Sequence, residues 1–164
     1  MLPIPDPVNQ RLIYTGLEPG RERQLYRKGD LVYKIDNIVL GEAWQLKMKE
    51  IIYYWHIPGF VDFIPNGYVT RYVNGHDLHG NIPFSYTLPG DRAAVSITQR
   101  MQVLEIFADA IRIGNIIGFT LGDITCGNII SDGNQCFLID YDSIVDYPTP
   151  HPQVWENTLR LVFS

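Results

Sequence analysis

The sequence predicts an α+β protein in which the first half is mainly β-structure and the second half is mainly helical. The first observation is a set of five short, β-rich segments separated by turn residues, with one segment of helical periodicity between the third and the fourth. The second is a capping box, Ser96 with Gln99, that opens a long helical segment in the second half. At 164 residues the chain has room for two small lobes but not for two full domains, so we expect one folding unit.

The first lobe is expected to span residues 1–72 and to be a five-stranded antiparallel sheet with one helix. The strands are predicted at residues 11–15, 24–27, 31–35, 61–64 and 68–73. Apolar side chains at helical spacing predict the helix over residues 40–55. The Pro65-Asn66-Gly67 segment predicts a tight hairpin turn, because Asn-Gly adopts the backbone angles that such turns need.

The second lobe is expected to span residues 73–164 and to begin with an irregular connection over residues 79–95. A helix is predicted from residue 96 to about residue 115, and either Gly114 or Gly118 is expected to end it. Its polar residues form one narrow stripe, so we expect most of the helix to be buried. The apolar residues expected to fill its buried surface are Met101, Leu104, Phe107, Ala108 and Ile111. A last helix is predicted over residues 154–162, with Trp155, Leu159 and Val162 on its packed face.

Composition and charge exclude several classes of function. The net charge is −5 and the 13 Lys and Arg residues are scattered, so nucleic acid is not an expected partner. No apolar run is long enough to span a bilayer, and the start of the chain lacks the pattern of a signal peptide, so no membrane partner is expected. We expect a soluble cytoplasmic protein that keeps Cys126 and Cys136 reduced.

The residues that indicate chemistry lie around a predicted hairpin in the second lobe. Asp123 is followed five residues later by Asn128, and Asp140 comes twelve residues after that, with Asp132-Gly133-Asn134 as the turn between. Mg²⁺ prefers hard oxygen ligands and takes few of them from the protein when it also binds phosphates. Asn128 and Asp140 are therefore candidate Mg²⁺ ligands, and Asp123 is a candidate base that orients an attacking hydroxyl.

On these motifs the sequence resembles the protein-kinase-like superfamily, including its aminoglycoside and choline phosphotransferase members. The family's catalytic loop often reads H-G-D-x-x-x-x-N, and its metal motif reads I-D-(F/W/Y)-(D/E). Leu121 stands where the family has His. The metal motif ends in Asp142 rather than Gly, which is more similar to the small-molecule kinases, and the resemblance makes Asp142 a possible auxiliary metal ligand. The resemblance implies a two-lobed fold that binds ATP and Mg²⁺ between the lobes.

The resemblance also implies roles for residues of the first lobe. Lys34, on the third strand, would contact the α- and β-phosphates of ATP. Glu42 would hold this lysine, because Gly41-Glu42-Ala43 resembles the R-E-A start of the phosphotransferase helix, and Glu50 is the competing partner. The loop with Gly16 and Gly20 occupies the place of the family's glycine-rich loop, where it is either a generic turn or a phosphate contact.

A further resemblance covers residues 68–78, which are similar to the family's L-V-M-E-Y-V-x-G-x-D-L strand and hinge. It implies that Thr70 is the gatekeeper behind the adenine and that the backbone of Arg71, Tyr72 and Val73 hydrogen-bonds the base. The alternative is an ordinary edge strand, for which a β-rich composition is sufficient.

We therefore expect a minimal ATP-dependent phosphotransferase, a kinase of the Ser/Thr type acting on protein hydroxyls. Only residues 143–164 follow Asp142, and the family's peptide-docking platform is missing from this stretch. One alternative is a pseudokinase that works as a nucleotide-binding or protein-interaction module, so the partner is a protein substrate or another protein. A small-molecule kinase is the further alternative. The sequence leaves the oligomeric state open.

Overall fold

The structure is a computed structural model that describes residues 1–3, 11–15, 23–36, 38–78 and 95–163. These form two compact units, Met1–Tyr72 and Val73–Ser164, which are treated separately below. The described helices are α1 (Glu42–Tyr54), α2 (Ile97–Ile117) and α3 (Pro152–Val162). The described strands are β1 (Arg11–Thr15), β2 (Arg23–Lys28), β3 (Leu31–Asp36), β4 (Phe60–Ile64), β5 (Gly67–Arg71), β6 (His76–Asp77), β7 (Phe119–Leu121), β8 (Ile129–Ser131), β9 (Cys136–Leu138) and β10 (Ile144–Asp146). The predicted α+β class, with helices and antiparallel sheets, is confirmed.

The strands of the first unit form an antiparallel sheet in the order β1-β2-β3-β5-β4. The turn from β4 to β5 uses Asn66 at φ 55, as expected from the Asn-Gly pair that follows the strand. Gly67 then passes so close to the Lys34 carbonyl that a Cβ at this position would collide with it. The sheet therefore requires glycine where β5 begins.

Helix α1 packs on one face of this sheet through aromatic contacts. The ring of Trp44 stacks on Tyr68 at 5.5 Å and meets Phe63 edge-on at 5.9 Å. The other buried residues of α1, Met48 and Ile51, follow Trp44 at helical spacing. The predicted helix is thus present, and it begins at Glu42 rather than at residue 40.

The second unit contains α2, α3 and two small antiparallel sheets, β10-β7 and β6-β8-β9. The predicted capping box opens α2: the Gln99 amide donates to Ser96 Oγ at 3.1 Å, and the Ser96 amide donates to Gln99 Oε1 at 2.8 Å. Of the two glycines that could end the helix, Gly118 does so, in the left-handed conformation at φ 83. None of the helices that the structure describes is long and apolar enough to cross a membrane.

The prediction that most of α2 is buried was wrong. Its buried side chains lie on one face around Val103, Phe107 and Ala110, whereas Met101 is 59% and Leu104 45% exposed. The apolar residues of this helix occupy two faces, and the sequence pattern does not show that only one of them meets a neighbouring element. The exposed α2 stripe, as we call it, consists of Ile97, Met101, Leu104, Ala108 and Ile111.

Helix α3 begins two residues before the predicted position, with Pro152 in its first turn. Trp155 and Val162 are buried as predicted. Thr158 is buried as well, at 4% exposure, whereas Leu159, which was predicted on the packed face, is only half-buried. The hydroxyl of Thr158 therefore lies on the buried face of α3.

We predict that Gly114→Ala destabilises the protein. A Cβ at residue 114 would lie 2.7 Å from Tyr147 Cβ and 2.8 Å from Tyr147 Cδ2, too close for either atom to avoid by a small rotation. Overpacking of this kind costs about 1–3 kcal/mol of unfolding free energy, although the same exchange in an exposed helix would gain about 1 kcal/mol. Urea unfolding measures the difference, with the exposed neighbour Asn115→Ala as the control. Equal stability of the two variants would contradict the packing against Tyr147.

Candidate functional site

The predicted base and one predicted metal ligand contact each other in the loop after β7. The Asn128 side chain donates from Nδ2 to the Asp123 carboxylate at 2.9 Å and to the Asp123 backbone carbonyl at 3.1 Å. Both acceptors are oxygens, so the nitrogen of the amide must be the atom that faces Asp123. Asn128 Oδ1 consequently points away from the Asp123 carboxylate.

Asp140 lies at the same end of the β8–β9 hairpin as Asn128. In this hairpin Ile129 pairs with Leu138, and one step further along the Ile139 amide donates to the Asn128 carbonyl at 3.0 Å. Antiparallel pairing thus brings Asp140 next to the residue bonded to Asn128, although twelve positions separate them in sequence. Asp140 thus directly follows a residue that is hydrogen-bonded to Asn128.

The segment after β9 is fixed by Tyr141 and Asp142. The Asp142 amide donates to Asp140 Oδ1 at 3.1 Å, which orients that carboxylate. Tyr141 is fully buried and its hydroxyl donates to the Leu138 carbonyl. Burial, and secondarily the charge of Asp140, raises the pKa of Tyr141 well above its usual value, so the hydroxyl keeps its proton and remains a donor. Asp142 itself is half-buried beside this segment.

The oxygen donors in this loop and hairpin suit a Mg²⁺ ion that also binds phosphates better than a metal ion held only by protein ligands. No group of three or more His, Cys, Asp or Glu side chains that could hold a metal ion occurs within the described ranges. Asn128 Oδ1 and the Asp140 carboxylate are hard oxygen donors, and Mg²⁺ bound to substrate phosphates needs only one or two ligands from the protein. The residues present therefore fit a nucleotide-bound Mg²⁺ ion.

Leu121, which stands where the resemblance has His, is part of β7. It is 1% exposed and pairs with Ile144 of β10. Neither of these three-residue strands was expected from the sequence. The apolar side chain thus supports the start of the loop by burial.

Sequence reasoning also missed two residues of α3 that contact this loop. Trp155 Nε1 donates to the Gly122 carbonyl at 3.0 Å, and Thr158 Oγ1 donates to the Ile124 carbonyl at 3.1 Å. The available signal was Thr158 itself, three residues after Trp155 on the packed face of a short helix. A buried hydroxyl requires a hydrogen-bond acceptor, so a polar residue in such a position indicates a contact beyond the helix.

In the first unit, Lys34 is 7% exposed on the face of the sheet that α1 covers. Its Nζ lies 5.6 Å from the centre of the Tyr68 ring, whose Cα pairs with that of Lys34 across β3 and β5. Glu42 and the competing Glu50 are both exposed on α1. Glu42 lies two residues before the buried Trp44, which turns it to the opposite side of the helix. The pairing of Lys34 with Glu42 stays a prediction.

The predicted gatekeeper and hinge residues lie at the end of β5. Thr70 is 4% exposed and donates from Oγ1 to the Arg71 carbonyl at 3.3 Å. The Arg71 amide donates to the Gly59 carbonyl at 2.8 Å, and the Tyr72 amide donates to the Asp30 carbonyl at 2.6 Å. These two amides already donate to carbonyls of the first unit, so they do not also donate to the adenine.

The backbone of Val73 was also predicted to contact adenine, and among the described residues its amide has no backbone acceptor. The Tyr72 ring is covered by the Arg27 guanidinium, 3.4 Å from the ring centre, which holds the side chain at the strand end. Gly16 and Gly20, the predicted phosphate-loop glycines, lie outside the described residues.

Comparison with known proteins gives similarity to solved structures only. No family model and no curated protein matches the chain. Among solved structures, WbdD is 19% identical with a TM-score of 0.46, over 92% of this chain and 37% of that one. A choline/ethanolamine kinase family protein from Mesorhizobium loti is 17% identical with a TM-score of 0.40, over 84% and 60%.

The Rio2 kinase from Chaetomium thermophilum, solved as a complex with ADP, Mg²⁺ and phosphoaspartate, is 11% identical with a TM-score of 0.48. The match covers 92% of this chain and 53% of that one, so the chain spans less than two thirds of each of the three structures. Kinase structures are thus among those to which the chain is similar, as the motifs suggest.

Proposed function

We propose that the chain is a Mg²⁺-dependent phosphotransferase that uses ATP and transfers phosphate to a protein hydroxyl of the Ser/Thr type. The observation that carries this proposal is the hydrogen bond from Asn128 to Asp123, and it is supported by the backbone bond from Ile139, the residue before Asp140, to Asn128. One loop and one hairpin end thereby combine a carboxylate suited to orient a hydroxyl with two oxygen donors suited to Mg²⁺.

In this proposal Asn128 Oδ1 and the Asp140 carboxylate hold Mg²⁺, with Asp142 as an auxiliary ligand. The ion, when bound, offsets the charge of the phosphates during transfer. Asp123 accepts a hydrogen bond from the acceptor hydroxyl and aligns it for attack, while Asn128 Nδ2 holds the Asp123 carboxylate in place. Asp142 is also the feature that suggests the alternative acceptor, a small molecule.

Lys34 is proposed to bind the α- and β-phosphates of ATP. Glu42 is its proposed orienting partner, and its side chain would have to turn from its exposed position on α1 to reach Lys34. The Lys34 side chain is 7% exposed, and its Nζ lies 5.6 Å from the centre of the Tyr68 ring. The resemblance places the phosphate-binding lysine on this strand. Thr70 and the Val73 amide are proposed to contact the adenine, and Gly16 and Gly20 the phosphates.

A second candidate function is that of a pseudokinase, a protein-interaction module without catalysis. The exposed α2 stripe favours it, because contiguous apolar side chains on a surface helix are characteristic of sites that bind protein. In this case nucleotide binding and the roles of Asp123 and Asp140 need not be retained.

We predict that Asp140→Ala lowers phosphate transfer by about 100- to 1,000-fold, because the charge on the phosphates is then poorly compensated. Asp123→Asn should reduce kcat by about 100- to 10,000-fold, since the amide cannot accept the proton. Its nucleotide affinity should change little, because the Asn oxygen can still accept from Asn128 Nδ2. Transfer is measured with labelled ATP and a lysate of the native host, separated into protein and small-molecule fractions.

The matched control is Asp146→Asn, an exposed carboxylate at the end of β10 that should transfer phosphate like the wild type. Wild-type rates in both site variants would refute the assignment of Asp123 and Asp140. Label that appears only in the small-molecule fraction would replace the protein acceptor with the small-molecule alternative.

We predict that Lys34→Met weakens ATP binding by about 10- to 100-fold, since hydrogen bonds to charged groups contribute about 1.5–3 kcal/mol. Methionine has nearly the same length, so the buried site on β3 should keep its packing. Thermal unfolding with ATP and Mg²⁺ measures binding as a rise in melting temperature, which EDTA should reduce. Lys28→Met, at an exposed position of β2, is the control.

The same experiment separates the two candidate functions. A magnesium-dependent rise for the wild type that is lost in Lys34→Met supports the phosphotransferase. A rise that persists in Lys34→Met would show that this lysine does not bind the phosphates. The complete absence of a rise in the wild type would favour the pseudokinase.

A further inference from the structure

Helix α3 contacts alternate residues of the loop that carries Asp123. Trp155 Nε1 donates to the Gly122 carbonyl at 3.0 Å and Thr158 Oγ1 to the Ile124 carbonyl at 3.1 Å. Cys126 Sγ lies 4.0 Å from the Thr158 carbonyl. The carbonyls immediately before and after Asp123 are thus both bonded to side chains of one helical turn.

The Thr158–Ile124 bond is buried and the Trp155–Gly122 bond is partly buried, so both are shielded from water to different degrees. Ile124 is fully buried, Thr158 is 4% exposed and Trp155 is 8% exposed. The segment between β7 and the turn at Cys126–Asn128 has no regular secondary structure, so its carbonyls need partners from elsewhere in the fold. The Thr158 hydroxyl also lies 2.9 Å from the Val154 carbonyl, so its single hydrogen is shared between its own helix and the loop.

The loop is held on its other side as well. The Gly122 amide donates to the Ser143 carbonyl at 2.9 Å, and a Cβ on Gly122 would collide with the side chain of Val145. The Asp123 carbonyl accepts from Asn128 Nδ2. The main chain around Asp123 is therefore fixed from β10's side, from α3 and from Asn128, and this fixes the direction in which the carboxylate leaves the backbone.

We propose that Trp155 and Thr158 are positioning residues for the phosphotransfer reaction, acting through the backbone on either side of Asp123. The inference rests on the proposed function, in which Asp123 aligns the acceptor hydroxyl. A catalytic group displaced by about 1 Å can lose about 100-fold in rate while substrate binding is retained. Helix α3 thus serves the reaction although none of its side chains is proposed to touch the substrate.

The test compares Thr158→Val with Thr158→Ser. Valine keeps the shape of threonine but has no hydroxyl, whereas serine keeps the hydroxyl. We expect Thr158→Val to lower kcat by about 10- to 100-fold with the KM for ATP changed less than about two-fold, and Thr158→Ser to restore kcat to within about three-fold of the wild type. Trp155→Phe, which removes only the Nε1–H donor and the second ring, should lower kcat in the same way and provides the test if Thr158→Val does not fold.

Val162→Ala is the matched control. It removes buried side-chain atoms from the same helix, 1% exposed in the wild type, at a position with no hydrogen bond to the loop. We expect it to lower the melting temperature and to leave kcat within about two-fold, measured well below that temperature. If Thr158→Val and Val162→Ala lower kcat equally, α3 is only structural and the inference is overturned.

Hydrogen–deuterium exchange of residues 119–129 gives a readout that does not need activity. In this segment the Gly122 amide donates to the Ser143 carbonyl and the Asn128 amide donates to the Thr125 carbonyl, so both amides should exchange slowly. Faster exchange in Thr158→Val than in Val162→Ala supports positioning by α3. This holds even if the wild type transfers no phosphate, because an inactive wild type would overturn only the proposed function. Unchanged exchange and unchanged kcat in Thr158→Val, with an active wild type, would overturn the inference and leave the proposed function standing.

Discussion

The hydrogen bond from Asn128 Nδ2 to the Asp123 carboxylate is the constraint on which the candidate site depends. It closes a loop between two residues five positions apart and decides which atom of the Asn128 amide faces Asp123. The carbonyl of Asn128 simultaneously accepts the Ile139 amide at the open end of the β8–β9 hairpin. One residue therefore ties the loop to the hairpin, and the position of Asp140 follows from the pairing of the strands.

Sequence patterns predicted the parts of the fold whose cause is local. The Ser96 capping box, the Asn66 turn and the left-handed Gly118 each depend on the backbone chemistry of a few adjacent residues, and each is found in the structure. The hairpin that joins Asn128 to the segment before Asp140 was predicted for a related reason. A hairpin with a tight turn brings its two ends together whatever else surrounds it.

The features that sequence reasoning missed depend on which element packs against which. Apolar residues on α2 satisfy helical periodicity on both of its faces, and only the tertiary contacts leave Met101 exposed while Val103 is buried. Strands of three residues, such as the one containing Leu121, are too short to show an alternating pattern. Thr158 was overlooked because a threonine in a helix is usually solvated or bonds to its own helix, and its second acceptor, Ile124, lies 34 residues away.

The hydrogen bonds of the acidic residues themselves bear on the choice between an enzyme and an interaction module. Asp132 accepts from the backbone amides of Asn134 and Gln135, and Asp140 accepts from that of Asp142; these are ordinary turns, in which a carboxylate serves the backbone. Asp123 differs, because it accepts from the side chain of Asn128, and a turn needs no such bond. The bond from the Asp142 amide by itself does not mark Asp140 as a metal ligand. Its assignment as a metal ligand depends on its place beside Asn128, whose Oδ1 is turned away from Asp123 by the same bond that holds the proposed base.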